Sequence, residues 1–484
     1  MTESRRLLEF LDAAEADRIF EEAGRVLAAT GVRVENDEAK RLLGAAGATE
    51  AEGRLRIPER LVRDALASAP GRVRLYDRDG APAMDLGGSR VHFDPGSAAI
   101  HVLDSATWRR RSVSSGDVVN LVRLVDQLPN YAAQSTAVVP GDVPAEIADR
   151  YRLYLALRHG RKPIVTGTFR KDGFAPMHAM LAAVRGGSAA LARAPLAIFD
   201  CCVSPPLKWT DLTCQALVDC AQSGVPAQVI AMPMTGATSP VTLRETLVQH
   251  CAENLSGLVI HQLARPGAPF VFGGAPSAFD MRHGTTAMGA METMLLTAGY
   301  AQISRRLGLP SHGYLCVSDA KTIDYQAGLE SGMGALVGAL AGVNVISGAG
   351  MLDFLLTQSL EKLILDHEAC GMALRAARGI GSESGNAAAL VADVVSLGEF
   401  LSHAHTRQNW RRALTVPSRV IDRGSYGDWE AGGGKSSQAR AAAEVERMLR
   451  HAAPTPLPAD TAAALDEIMH REAAAWNLAK LPAV

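Results

Sequence analysis

The feature that most constrains this chain is an eightfold alternation between residues 91 and 379. Short β-branched or apolar runs trade places there with longer helical patterns. The runs predict strands at 91–95, 132–138, 163–167, 196–201, 226–232, 268–273, 311–316 and 343–348. Helical patterns are expected near 116–127, 145–159, 174–185, 209–223, 241–264, 287–307, 325–340 and 358–379. Most of the strand runs are nearly continuously apolar, as parallel strands covered on both faces should be. Eight strand–helix units in series predict an α/β fold of the (β/α)8 TIM-barrel type. A doubly wound open sheet is the competing architecture. Its usual nucleotide signatures are missing, since no GxGxxG follows an early strand and no GxxxxGK[ST] occurs.

The barrel, 91–379, is expected to sit between helical extensions at 1–90 and 380–484. The first 80 residues read as two or three helices and a turn, punctuated by Thr30-Gly31 and Ala46-Gly47-Ala48. The tail reads as helices near 387–411, 436–451 and 460–477, with a Pro-rich break at 454–458. Gly432, Gly433 and Gly434 follow no strand, so they read as a flexible loop rather than a phosphate cradle.

Several function classes are excluded early. Lys plus Arg number 49 against 51 for Asp plus Glu, so the chain lacks the basic excess of a general nucleic-acid binder or a polybasic membrane anchor. Residues 331–352 carry no charge, but they hold six glycines and Asn344. The pattern changes near Gly342 from helical to strand-like, so a buried helix followed by a buried strand is expected there rather than a membrane span. The seven cysteines are odd in number, absent from the first 200 residues and never spaced CxxC. That is a reduced, cytoplasmic pattern.

In a barrel of this kind chemistry sits at the C-terminal ends of the strands, and side chains alternate between interior and helix layer. A polar side chain facing the dry helix layer is costly. This rule points His92, Asp94, Gln134, Thr136, Thr166, Asp200, Gln228, His312, Tyr314 and Asn344 inward. The same parity adds Met232, Met234, Cys202, Phe272 and Cys316 to the mouth, and leaves Phe93 and Phe199 as core. Asp94 and Asp200 would then flank a mouth lined by Tyr, Phe and Met. That composition suits a cation without N–H donors, which gains from aromatic faces and a carboxylate. Each Asp could equally cap a helix or pair with an Arg. The loop after the seventh strand, with Asp319, Lys321, Asp324 and Gln326, lies over the same face, and Asp324 also fits a helix cap. Cys201-Cys202 with Cys316 raises a zinc thiolate set, but adjacent strand residues face opposite sides. His250, His261, His403 and His405 lack carboxylate or Cys partners at ligand spacing, so no metal site is expected.

Certain segments also carry a resemblance. They are Pro206 to Asp211 (PLKWTD), Met234 to Leu243 (MTGATSPVTL), Ser318 to Glu330 (SDAKTIDYQAGLE) and Ser359 to Glu368 (SLEKLILDHE). Gly31-Val32, Ile57-Pro58 and Ala69-Pro70 fit the same pattern. Together they resemble the trimethylamine methyltransferase family, in the branch without pyrrolysine that includes glycine betaine:corrinoid methyltransferases. The resemblance implies a TIM barrel that demethylates a methylated amine. The methyl group would pass to the Co(I) state of a corrinoid (cobalamin) on a separate corrinoid-binding protein. No DxHxxG corrinoid-ligand motif occurs, so no cofactor is expected to be tightly bound and the corrinoid should arrive on that partner. A quaternary amine such as glycine betaine, proline betaine or carnitine is the expected substrate, because its leaving group is already a neutral amine and needs no general acid.

Within that reading Asp94 and Asp200 balance the ammonium, and Tyr314 and Phe272 face it. Asp319, Lys321 and Gln326 contact the substrate's polar end or the corrinoid partner. No residue matches a pyrrolysine position, so no catalytic residue is assigned. Two alternatives stand beside it: zinc-dependent methyl transfer to a thiol, and a non-catalytic betaine-binding protein. Trp410, Trp429 and Trp476 in the tail offer apolar contacts for the barrel or for another copy of the chain.

Overall fold

The computed structural model describes residues 7–96, 98–380, 385–395, 398–453 and 455–484. Its centre is an eight-stranded parallel sheet. The strands are β1 His92–Pro95, β2 Gln134–Ser135, β3 Ile164–Thr166, β4 Ala197–Val203, β5 Ala227–Ala231, β6 Phe270–Gly274, β7 Ser311–Tyr314 and β8 Val345–Ala349. Each pairs in parallel with its chain neighbour from β2 through to β8, and β8 returns to β1. A parallel bridge between Phe93 and Tyr131, with the Ala132 N–H donating to the Phe93 carbonyl at 2.8 Å, closes the ring between β1 and β2.

The helix that follows each strand packs outside. These are α1 Ser115–Asp126, α2 Ala148–His159, α3 Phe174–Arg185, α4 Asp211–Ser223, α5 Leu243–Ala264, α6 Met291–Arg306, α7 Tyr325–Ala341 and α8 Leu360–Arg378. Their starts follow ordinary capping chemistry: Ser114, Thr210, Asp324 and Ser359 each accept a backbone N–H in the first turn. The uncharged run 331–352 is the end of α7 followed by β8, and no described helix is long and apolar enough to cross a membrane. Its glycines let α7 lie close on the barrel. A Cβ at Gly334 would sit 1.8 Å from the Leu315 carbonyl oxygen.

The register fixes which residues point inward. Val165, Ile198, Val271 and Val345 form a buried interior layer with Ala133 at the N-terminal end of the barrel. A hairpin of Val73–Tyr76 and Pro82–Leu86 stoppers that end by inserting Val73, Leu75, Met84 and Leu86 into the same layer. The N-terminal segment therefore differs from the purely helical extension expected. It holds helices Ala13–Ala29, Asp37–Ala46 and Glu59–Ser68, but also short strands. One of them, Arg33–Val34, pairs with Lys208–Trp209. These strands are too short, at two to five residues, for periodicity to reveal them.

In the tail, helices Ser437–Arg450 and Ala459–Ala475 pack on the barrel. The expected helix over 387–411 is two pieces, Ala387–Val395 and Ala404–Ala413; positions 396–397 and Pro454 of the Pro-rich break lie outside the described residues. The Arg170 guanidinium stacks over Trp476 at 4.8 Å, while Trp410 stays exposed.

Candidate functional site

Inward positions above the apolar layer are polar. Asp200 on β4 lies beside Gln228 on β5, and His312 and Tyr314 on β7 lie beside Val345 and Ser347 on β8. The Asp200 carboxylate is half-buried. Its Oδ1 accepts from the Gln228 side-chain amide and its Oδ2 accepts from the Tyr314 hydroxyl at 3.4 Å. Burial pushes its carboxyl up to about 6, against the downward pull of Gln228, Arg152 and Tyr314. Cys202 faces the same space two residues on, and burial raises its thiol too, so it is a neutral wall. Met232 is exposed just past β5, on the parity of Gln228.

Asp94 lies deeper and is buried. The Ser347 hydroxyl donates to its Oδ1 at 2.6 Å, and His312 Nε2 lies 2.9 Å from the same hydroxyl. Burial, then the nearby Asp200 charge, holds the Asp94 carboxyl well above the usual range, while burial lowers the His312 imidazole to about 3. Burial thus disfavours the charged form of both groups. The desolvation at Asp94 works against the expectation that Asp94 and Asp200 share the charge of a bound cation. Asp94 Oδ2, His312 Nδ1 and Gln228 Oε1 are buried without a partner among the described residues.

Several sequence expectations fail on register. Phe272 does not face the mouth. Its neighbours Val271 and Gly273 take the inward positions, and Phe272 packs into the helix layer at 5.7 Å from His250 and 6.3 Å from Tyr300. Cys316 also points outward, with its sulfur 3.8 Å from that of Cys370. Cys201 turns toward Cys220 in the helix layer, so Cys201, Cys202 and Cys316 point to three different places. Among the described residues, no group of three or more His, Cys, Asp or Glu could hold a metal ion. Gln134, Thr136, Thr166 and Asn344 also lie off the interior. Gln134 donates to the Val122 carbonyl and Asp126 on α1, Thr136 bonds Thr166, and Asn344 caps the lower rim through Ser311 and Arg90. Each of these side chains found at least one partner there, although Gln134 Oε1 has none among the described residues, and those partners lower the penalty on which the inward rule rests.

The structure does gather Asp319, Lys321 and Gln326. All three line an open cavity of about 950 Å³ on the rim, together with Phe279, Arg282 and Phe354. Its wall is the hairpin Ser277–Asp280 with Thr285–Ala287, which pairs with Met234–Thr235 of the MTGATSPVTL segment. The Asp319 carboxylate accepts the Met288 and Gly289 N–H groups at 3.0 Å each, so it ties the loop after β7 to that hairpin. Lys321 lies 3.6 Å over the Phe354 ring and 3.7 Å from Asp353. Gln326 donates to Glu330 at 2.9 Å. Asp324 is the cap of α7.

Two rim residues were missed from sequence. Arg152 on α2 is buried and donates to the Thr136 carbonyl at 2.6 Å and the Gly167 carbonyl at 3.3 Å, at the C-terminal ends of β2 and β3. The exposed Phe169 ring covers its guanidinium at 4.3 Å. A signal was available: helices of a barrel begin at the catalytic face, so an arginine early in α2 reaches the rim.

Three comparisons place the chain among known proteins. The family description "Trimethylamine methyltransferase (MTTB)" matches residues 1–476. A trimethylamine methyltransferase MttB of Desulfitobacterium hafniense is 31% identical over 458 residues, covering 94% of this chain and 92% of its own. One from Methanosarcina barkeri is 33% identical over 446 residues, 90% of this chain and 89% of its own. A glycine betaine methyltransferase of Desulfitobacterium hafniense is 29% identical over 420 residues, 86% and 87% of the two chains. Among solved structures, the Methanosarcina barkeri monomethylamine methyltransferase superposes with a TM-score of 0.51 at 12% identity, covering 91% of this chain and 93% of that one, which is a likeness of fold.

Proposed function

The chain belongs to the trimethylamine methyltransferase family, and from that premise we propose that it moves a methyl group from a quaternary amine to a corrinoid carried by a partner protein. The observation that carries the reading is Asp200, a carboxylate at the mouth of the barrel with Tyr314 beside it. A unit charge about 4 Å from a carboxylate gains about 4 kcal/mol at an effective dielectric of about 20. An aromatic face adds about 0.5–2 kcal/mol. The carboxylate therefore dominates the attraction, and Tyr314 orients. A quaternary ammonium is served well by such a pair, because it offers charge and surface but no N–H to donate.

The corrinoid would supply a Co(I) nucleophile. This chain's own residues hold the ammonium on Asp200, present an N-methyl group toward the open end and keep water out of the lower barrel. No group need protonate the leaving amine. The buried Asp94–Ser347–His312 chain forms the floor, where burial disfavours charge on Asp94 and His312 alike. The rim cavity supports docking of a large, amide-fringed ligand, since Lys321, Gln326 and Arg282 line it as donors.

The test is methylation of a reduced corrinoid protein, followed by loss of the Co(I) absorbance, with trimethylamine, glycine betaine, proline betaine and carnitine as donors. Methyl transfer from at least one quaternary amine is expected. Turnover of trimethylamine alone, or binding of betaines without any transfer, overturns the reading; the second result would mark a non-catalytic binding protein.

A further inference from the structure

The outer face of α7 has the composition of an inner one. Over Tyr325–Ala341 the helix carries a single charged residue, Glu330. Its inner face already rests on the barrel, with Gly334 against Leu315. Its outer face repeats an apolar residue every three or four positions, at Tyr325, Leu329, Met333 and Leu336, and all four are exposed. Gly328 and Gly332, on the same stretch, leave open space above the backbone. A helix that is apolar all round belongs in an interior. A groove of about 850 Å³ runs alongside, lined by Leu336 on α7, by Leu365, Met372 and Ala376 on α8, and by Ile421.

A second surface is just as uncovered. Past the end of α8 the chain runs out as an arm and returns at Ser418, whose N–H donates to Glu368 at 3.1 Å, before Val420 enters the core. The arm carries the helices Ala387–Val395 and Ala404–Ala413. Among the described residues the first buries only Val394 and the second buries none. Ile380, Val391, Val395, Leu401 and Leu414 are exposed along it. Helices this short are marginal in water and take their stability from tertiary packing. The charges of the two surfaces are opposite. The groove presents the acids Asp324 and Glu368, and the helix Ala404–Ala413 presents Arg407, Arg411 and Arg412, all exposed.

We propose that the groove between α7 and α8 receives the arm of a second copy of this chain, so that two copies exchange arms about a twofold axis. The exchange covers four open surfaces at once, a groove and an arm on each copy. The arm's apolar side chains fill the groove, and its arginines meet Asp324 and Glu368. One chain carries both halves of the contact, apolar on apolar and basic on acidic. That is the self-complementarity a twofold interface needs, and it favours a second copy over an unrelated protein. Ile323, Asp324 and Tyr325 line the groove directly after Lys321 of the rim cavity. The second copy's arm therefore braces the loop after β7.

The experiment measures mass in solution by sedimentation velocity on the full chain. Three proteins are compared: the wild-type chain, a groove variant Met372→Glu, and an arm variant with Val391→Glu and Val395→Glu together. All three positions are exposed, so the fold of one copy should survive, and circular dichroism melts check that. At about ten micromolar the wild-type chain should sediment at twice the mass of one copy. Each variant alone should dimerise about a hundredfold more weakly or worse, because a charge enters the contact without a partner. Mixed together, the two variants should pair, since the intact arm of the groove variant still fits the intact groove of the arm variant. A monomeric wild-type chain overturns the proposal, and so does a variant that keeps the wild-type mass. Two monomeric variants that fail to pair when mixed overturn it as well, in favour of groove meeting groove.

Discussion

The hydroxyl of Tyr314 on β7 reaches Asp200 on β4 at 3.4 Å, a hydrogen bond between strands that are three places apart in the ring. It spans the interior of the barrel. It fixes both side chains at the height where the apolar layer ends and the mouth begins.

The protonation of Asp200 should govern cation binding. Its carboxyl is raised to about 6, with burial as the leading cause. Below that pH the group is neutral and its attraction for an ammonium is lost, so the affinity for tetramethylammonium should fall as pH drops through about 6. Calorimetry between pH 5 and 8 reads this, and Asp200→Asn should bind weakly at every pH with no such inflection. Stability follows the opposite sense. The folded chain holds this proton more tightly than the unfolded one, so the contribution is full below the ordinary carboxylate range and lost as pH rises through about 6. Asp200→Asn should remove that part of the slope in urea titrations.

Tyr314 and Phe272 should separate cleanly. Tyr314→Ala is expected to weaken ammonium binding by about 1–2 kcal/mol, with a smaller loss for Tyr314→Phe. Phe272→Ala removes a buried ring between His250 and Tyr300, and should cost about 3–5 kcal/mol of stability. A denaturant midpoint reads that loss. Ligand affinity per folded molecule should be unchanged.

Gly334 should tolerate no side chain. Its missing Cβ lies 1.8 Å from the Leu315 carbonyl oxygen, and backbone cannot move as a flexible side chain can. Gly334→Ala should destabilise by about 1–3 kcal/mol, seen as a lower thermal midpoint. Gly328, with open space around it, serves as the control for helix propensity.

Lys362 and Asp366 form a buried pair at 2.5 Å on α8, and Asp366 also accepts the Gly350 N–H at 2.7 Å just past β8. Removing one partner strands a buried charge. Lys362→Met and Asp366→Leu should each cost about 3–5 kcal/mol, and the double variant much less than the sum. A double-mutant cycle in denaturant checks it.

The barrel was legible because each unit carries two strong signals, an apolar run and a helical period. All eight strands fall where those signals put them. The site was legible only in part. Parity placed Asp94, Asp200, Gln228, His312 and Tyr314 inside, because their strands keep strict alternation. It failed at Phe272, where Gly273 takes the inward position beside His312, and a glycine gives no polarity to read. It failed at Gln134 and Asn344, whose side-chain amide N–H groups are met by α1 and by the lower rim. Arg152 comes from a helix, which a reading confined to strand ends does not reach. The hairpin Val73–Tyr76 and Pro82–Leu86 joins the core through contacts distant in sequence.

That hairpin makes the barrel a vessel with one door. Its four apolar side chains seal the lower end, so a small molecule bound at Asp200 and whatever remains of it afterwards must use the same opening. If a bulky protein closes that opening during the reaction, the amine must board first and the residue of it must disembark last. Turnover would then be paced by how quickly the partner lifts away, and a surplus of that partner should slow the cycle rather than speed it.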